Sequence, residues 1–235
     1  MQKRRGLISS IFICLMLFAG VALLLYPTVA DWWNGLHQSR AVKNYEAAVE
    51  SLTTEDYSKI WTAVKVYNEA LQERGMDRFA PTLEESEQYT QLLDITGTGI
   101  MAYIEIPRLN IKLPIYHGTG DAVLQVAVGH LEGSSLPSGE PGTHIAVSGH
   151  TGLPSAKLFT HLPELESGDT FTIHVLDRIL TYTIDQIQVV EPRNMEPLAI
   201  EENASLCTLI TCTPYGVNSH RLLVRGSLSE KEGGD

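Results

Sequence analysis

Thr208-Leu209-Ile210-Thr211-Cys212-Thr213-Pro214-Tyr215-Gly216-Val217-Asn218-Ser219-His220-Arg221-Leu222-Leu223-Val224-Arg225 is the stretch around which the chain is organised. Leu206 to Thr211 is apolar and β-branched, which favours a strand, and Pro214 cannot continue a central one. Gly216 and Asn218 supply turn chemistry, after which Leu222 to Val224 resumes an apolar run. The pattern predicts a strand that delivers a thiol, a turn, and a returning strand that opens with a guanidinium. Cys212 then sits at a strand end, both fixed and reachable, with Arg221 a neighbour across the connection. A thiolate is the reactive form of cysteine, and a permanent cation nearby favours it.

The 235 residues, 43% of them apolar, suffice for one main domain plus attachments. A formal net charge of −11 argues against nucleic-acid binding. Lys3, Arg4 and Arg5 precede an uncharged apolar run from Leu7 to Tyr26, long enough to span a bilayer. The basic cluster belongs on the cytoplasmic side, which puts the rest of the chain outside. A retained anchor is the expectation. A cleaved signal peptide is the competing reading, with Ala22 and Ala30 near possible cleavage points. Beyond the three leading basic residues, 14 Lys and Arg face 28 Asp and Glu, so the exported part is acidic.

There are three cysteines. Cys14 lies in the apolar run. Cys207 and Cys212 are five apart on one predicted strand, on opposite faces and too distant for a disulfide. A free thiol outside the cell suggests chemistry.

Periodicity predicts residues 1–30 as a basic tail and membrane anchor and 31–75 as a pair of helices, the second capped by Thr53 or Thr54. Residues 76–99 read as an acidic linker holding a short helix from Thr82 to Leu93. Residues 100–228 read as strands: Met101–Ile106, Asn110–Tyr116, Ala127–Leu131, His144–Ser148, Thr170–Leu176, Leu180–Val190, Leu206–Thr211 and Arg221–Ser227. Short helical turns fit Asp121–Gln125 and Ser155–His161. Residues 229–235 read as a disordered tail. Many short strands with few helices indicate a mainly β barrel or sandwich.

A thiol needs a base or ion-pair partner, and His150 is the leading candidate. It ends the apolar run His144-Ile145-Ala146-Val147-Ser148 in the turn Gly149-His150-Thr151-Gly152, whose glycines permit close approach. His130, in Gly129-His130-Leu131-Glu132-Gly133, is the main rival. His117 and His220 lie in turns; His37, His144, His161 and His174 read as structural or surface groups. Neither Cys-x-x-Cys nor His-x-x-x-His occurs, which argues against a closed zinc site, and no Gly-x-Ser-x-Gly elbow suggests a serine hydrolase. No metal or cofactor is expected.

With Thr208-Leu209-Ile210-Thr211-Cys212 and Ser148-Gly149-His150 in view, the chain resembles the sortases, and its Thr213–Gly226 segment is similar to the pilus-assembling class C group. Ile104-Glu105-Ile106-Pro107, Leu113–Thr119 and Leu153–Phe159 carry the resemblance further, over roughly Gly99 to Gly226. It implies an eight-stranded sortase-type β-barrel with short helices, preceded by the helical pair and membrane helix. It also implies Cys212, His150 and Arg221 as catalytic residues. Thr211 is a secondary candidate for positioning substrate or intermediate, and as a strand residue it reads equally as packing. The implied activity is transpeptidation of a Leu-Pro-x-Thr-Gly-like sorting signal of a pilin or surface protein, with a pilin Lys amine as acceptor, at a Gram-positive cell surface. Attachment to cell-wall peptide, an exported cysteine protease and an inert scaffold remain open. Class C enzymes also carry a lid of the pattern Asp-Pro-aromatic. The nearest match, Asp77-Arg78-Phe79, departs from it at Arg78, and the resemblance implies Asp77 on Arg221 and Phe79 over Cys212. Many of that group carry a second, C-terminal membrane segment. None occurs up to Gly233-Gly234-Asp235, which leaves a single anchor or a truncated sequence equally open.

Overall fold

The structure, a computed structural model, describes residues 2–233, with side chains from Ile11 onward. The charges of Lys3, Arg4 and Arg5 and the last two residues of the expected tail lie outside that description.

Helix α1 runs unbroken from Gln2 to Glu50, with Pro27 inside it. The boundary expected between a membrane segment and a separate first helix is therefore absent, and both are parts of one rod. Its apolar part has the length and composition to cross a membrane. Helix α2, Thr54–Arg74, starts at Thr53, where a reciprocal capping box with Asp56 satisfies the first free N–H groups. Helix α3, Leu83–Gln91, starts in the same way at Thr82 with Glu85.

Eight strands follow: β1 Ile100–Ile106, β2 Ile111–His117, β3 Val128–His130, β4 Thr143–Ser148, β5 Thr170–Val175, β6 Arg178–Val190, β7 Ser205–Thr213 and β8 His220–Glu232. A four-residue helix α4, Asp121–Leu124, precedes β3. The strands close in the order β1-β2-β3-β4-β7-β8-β6-β5, which leaves no free edge. The expected tail is corrected over Ser229–Glu232: β8 continues there and pairs with β6 as far as Ile179↔Glu232. The helical turn expected at Ser155–His161 is also absent. That segment is a loop with a Leu153↔Ala156 bridge, and the 3₁₀ turn falls later, at Leu162–Glu164.

Alternation along β7 separates two environments. Cys207 and Leu209 point into the barrel core with Val147, Tyr182 and Val224. Ile210 points outward and joins Ala146, Leu198 and Leu223 in a second apolar cluster on the outer wall. That cluster is the floor on which the candidate site rests.

Candidate active site

Cys212 and Arg221 are direct register partners across β7 and β8. Directly opposed residues have Cα atoms about 4.5–5.5 Å apart and side chains on the same face. Two rungs further in, on the same face, Ile210 pairs with Leu223, both members of the outer-wall cluster. The thiol and the guanidinium therefore stand together at the rim, above an apolar floor.

His150 reaches the same place through the parallel pairing of β4 with β7, in which Ser148 partners Ile210. Continuing that register by two residues carries His150 alongside Cys212. The loop is tied down where the strand ends: Gly149 N donates to Ile210 O at 3.0 Å, and Thr211 Oγ1 donates to Gly149 O at 2.8 Å. Phe159 N donates to His150 O at 3.1 Å. Gly149 is required here, since a Cβ would stand 2.7 Å from the Phe159 ring and 2.9 Å from Val128 Cγ1. At Gly152 a Cβ would stand 2.8 Å from the Tyr215 ring. The close approach that the glycines permit is thus made by the protein's own aromatic rings.

Cys212, His150 and Arg221 line one cavity of about 290 Å³, with Leu131, Leu198 and Leu223 among its apolar walls. Both Cys212 and His150 are half-buried, and the three cysteines are free thiols. No hydrogen bond joins the thiol to the imidazole, and catalytic contacts are often loose without substrate. The Arg221 guanidinium donates only to turn carbonyls, Asn218 O at 3.3 Å and His220 O at 3.0 Å. Arg74, Arg108, Arg178 and Arg225 all hold carboxylates, whereas Arg221 has none within 4 Å among the described residues. Arg221 lines the cavity without an ion pair, although Glu191 stands in the same wall.

The other candidates are spoken for. His130 is fully buried, with Nδ1 at 2.9 Å from the Tyr89 hydroxyl and Nε2 at 2.9 Å from Ser135 O. Burial lowers its pKa from 6.5 to about 4. His144 is likewise buried, between Ala199 O and Thr208 Oγ1, and burial brings it to about 4. The His117 ring lies between Gly99 O and Leu92 O. Burial pushes the Cys207 thiol well up, so that sulfur is an inert core group. Among the described residues no group of three or more His, Cys, Asp or Glu is placed to hold a metal.

The expected lid contacts are not formed. Asp77 makes no ion pair with Arg221, and its carbonyl accepts from Arg74 at 3.0 Å. Phe79 packs against the outer-wall cluster beside Leu131 and Met195 and does not line the cavity. The cause is Arg78, which is 1% exposed. Its guanidinium donates to Gly75 O at 2.8 Å and Leu198 O at 2.5 Å, so it folds the segment into a 3₁₀ turn and hooks it to the β6–β7 connection. That connection, from Glu191 to Leu198, supplies much of the cavity wall. Sequence reading assigned it no role, because an irregular loop has no periodicity to betray it.

A family model described as a sortase domain matches residues 104–229. A crystal structure of sortase C1 from Streptococcus agalactiae is similar at 47% identity and a TM-score of 0.78, covering 81% of this chain and 98% of that one. Sortase C-1 from Streptococcus pneumoniae is similar at 36% identity and a TM-score of 0.73, covering 81% of this chain and 98% of that one. Among curated proteins, Sortase A of Streptococcus agalactiae is 31% identical over 137 residues, 57% of this chain and 54% of the relative. Sortase D of Bacillus subtilis is 30% identical over 112 residues, 48% of this chain and 54% of the relative. The chain thus spans about half the length of the curated relatives it matches. With more than half of its residues under the family model and its barrel shared with solved class C enzymes, the chain belongs to the sortase family.

Proposed function

We propose that this protein is a membrane-anchored cysteine transpeptidase of the pilus-assembling type, with Cys212, His150 and Arg221 as its catalytic residues. The observation that carries this reading is the shared cavity. A thiol, an imidazole and a guanidinium that makes no ion pair converge there from three strand ends.

The reaction begins when the Cys212 thiolate attacks the Thr carbonyl of a Leu-Pro-x-Thr-Gly-like signal. The carbonyl electrons move onto oxygen, where the Arg221 guanidinium stabilises them as the tetrahedral intermediate forms. Its collapse breaks the Thr–Gly bond, and the leaving Gly amine takes a proton from His150. A Lys amine of a pilin subunit then attacks the thioester, gives its proton to His150 and expels the thiolate. Helix α1 holds the enzyme in the membrane, with Lys3, Arg4 and Arg5 inside and the barrel outside. Thr211 acts as a positioning residue, since its hydroxyl ties the Cys212 strand to the carbonyl just before His150.

The test is to incubate the detergent-solubilised chain with a sorting-signal peptide and candidate pilin subunits. Ladders of covalently joined subunits support the reading. Ligation only to cell-wall peptide amines would move the enzyme to wall anchoring, and cleavage without ligation would make it a protease.

A further inference from the structure

Helix α1 lies along the barrel in a direction that its contacts define. Glu46 is 3.1 Å from Lys112, near the start of β2. Val42 packs with Ile100 and Tyr103, and Tyr116 covers that cluster near the end of β2. Gln38 Nε2 donates to Val126 O at 2.7 Å and Asn34 Nδ2 to Ser155 O at 2.8 Å, and Asp31 Oδ1 accepts from Lys157 N at 3.1 Å. Moving toward its N-terminus, α1 therefore follows β2 from its start to its end and then crosses to the segment before β3. Its contacts with Val126, Ser155 and Lys157 bring it to the rim where β4 and β7 end, beside the loop that follows His150. That rim carries His150 and Cys212.

The apolar run ends at Tyr26, and Asp31 is five residues on, about 7–8 Å along a helix. The polar zone on each side of the hydrocarbon core has about that depth. Val29, Trp32 and Trp33 are exposed on this stretch, and tryptophan favours the membrane–water boundary. The loop held by Asp31 and Asn34 includes Gly152, and Gly152 lies against the Tyr215 ring. Tyr215 and Val217, on the turn after Cys212, are 70% and 69% exposed. Two large side chains thus protrude from the rim that the helix brings to the lipid.

We propose that this rim is a membrane-docking surface. The 151–157 loop and the 214–219 turn rest on the bilayer, Tyr215 and Val217 sit among the lipid headgroups, and the Cys212 cavity opens at the membrane surface. The proposal rests on the reading of α1 as an anchor, and continuity with that anchor selects lipid over a protein partner as the occupant.

Spin labels on the full chain test it, in nanodiscs of phosphatidylcholine and phosphatidylglycerol. Cys14→Ser and Cys212→Ala remove the accessible thiols, Cys207 stays buried, and single labels go on through Leu17→Cys, Leu83→Cys and Val217→Cys. Collision rates are measured with oxygen, which concentrates in lipid, and with a water-soluble nickel chelate. The label at position 17 should favour oxygen and that at 83, on α3, nickel; the label at 217 should favour oxygen several-fold more than that at 83. If 17 reports lipid while 217 matches 83, the docking surface is wrong and the anchor stands. If 17 reports water, the anchor fails and the docking surface falls with it. A label at 217 shielded from both reagents would indicate a protein contact and overturn the proposal.

Discussion

Thr211 Oγ1 donates a 2.8 Å hydrogen bond to the Gly149 carbonyl, joining the residue before Cys212 to the residue before His150. Thr211 is 1% exposed, so removing the hydroxyl strands a buried acceptor at a cost of about 1–3 kcal/mol. Thr211→Val should lower kcat for peptide ligation by about tenfold, since loosening the loop misplaces His150, the proposed proton donor. Its KM for the signal peptide should change little, and Thr211→Ser should restore most of the rate. Equal loss in the Ser and Val variants would remove the hydroxyl from the account.

Arg221 holds only turn carbonyls, so its role can be separated from stability. Arg221→Lys keeps a charge but loses the rigid fork of donors. Ligation should fall by about 10²–10³-fold, the loss typical of one missing oxyanion donor, while the urea midpoint stays near that of the parent. Cys212→Ala should abolish ligation. Retention of full activity by either variant would exclude the proposed trio.

His130 and His144 make stability depend on pH. Burial lowers both pKa values from 6.5 to about 4. Between those limits the unfolded chain binds protons that the folded chain does not. The stabilisation is complete above pH 6.5 and is lost as pH falls toward 4, on the order of 1 kcal/mol per unit for each histidine. Urea unfolding at pH 7 and pH 5 should give a lower midpoint at pH 5. A flat profile would contradict the buried neutral histidines.

A thiol reagent should modify one cysteine of the barrel quickly. Cys212 lines an open cavity, whereas Cys207 is buried and its thiol pKa raised. Asp77→Ala should leave the Cys212 labelling rate within about twofold, because no Asp77–Arg221 ion pair exists to release. Labelling that accelerated strongly would mean that Asp77 restrains access after all. Mass spectrometry of the labelled peptides reads both results.

All eight strands were legible in the sequence, with ends misplaced by a residue or two in most. The largest error was at Ser229–Glu232, where polar residues suggested a tail but β6 offers a partner strand as far as Ile179. Pairing of this kind is tertiary and leaves no mark on local composition. Cys212 and Arg221 were placed correctly as neighbours because one turn joins them. The proximity of His150 to Cys212 depends on a parallel pairing between distant segments, so the residues alone left His130 as a rival. The lid failed for a different reason. Arg78, a charged residue expected in a loop, is buried and grips backbone carbonyls, which its residue type gives no ground to expect.

The rung shared by Cys212 and Arg221 also separates the durable from the variable part of the enzyme. Their spacing is dictated by main-chain pairing of β7 with β8, whereas the six residues from 214 to 219 close the connection above it and touch the guanidinium only through the Asn218 carbonyl. Lengthening that connection costs little in closure entropy and leaves the paired backbone positions of Cys212 and Arg221 where they are. Slipping β8 by one residue would instead turn the guanidinium to the opposite side of the barrel wall. The tip can therefore be rewritten for new clients, by selection or by design, without retuning the chemistry beneath.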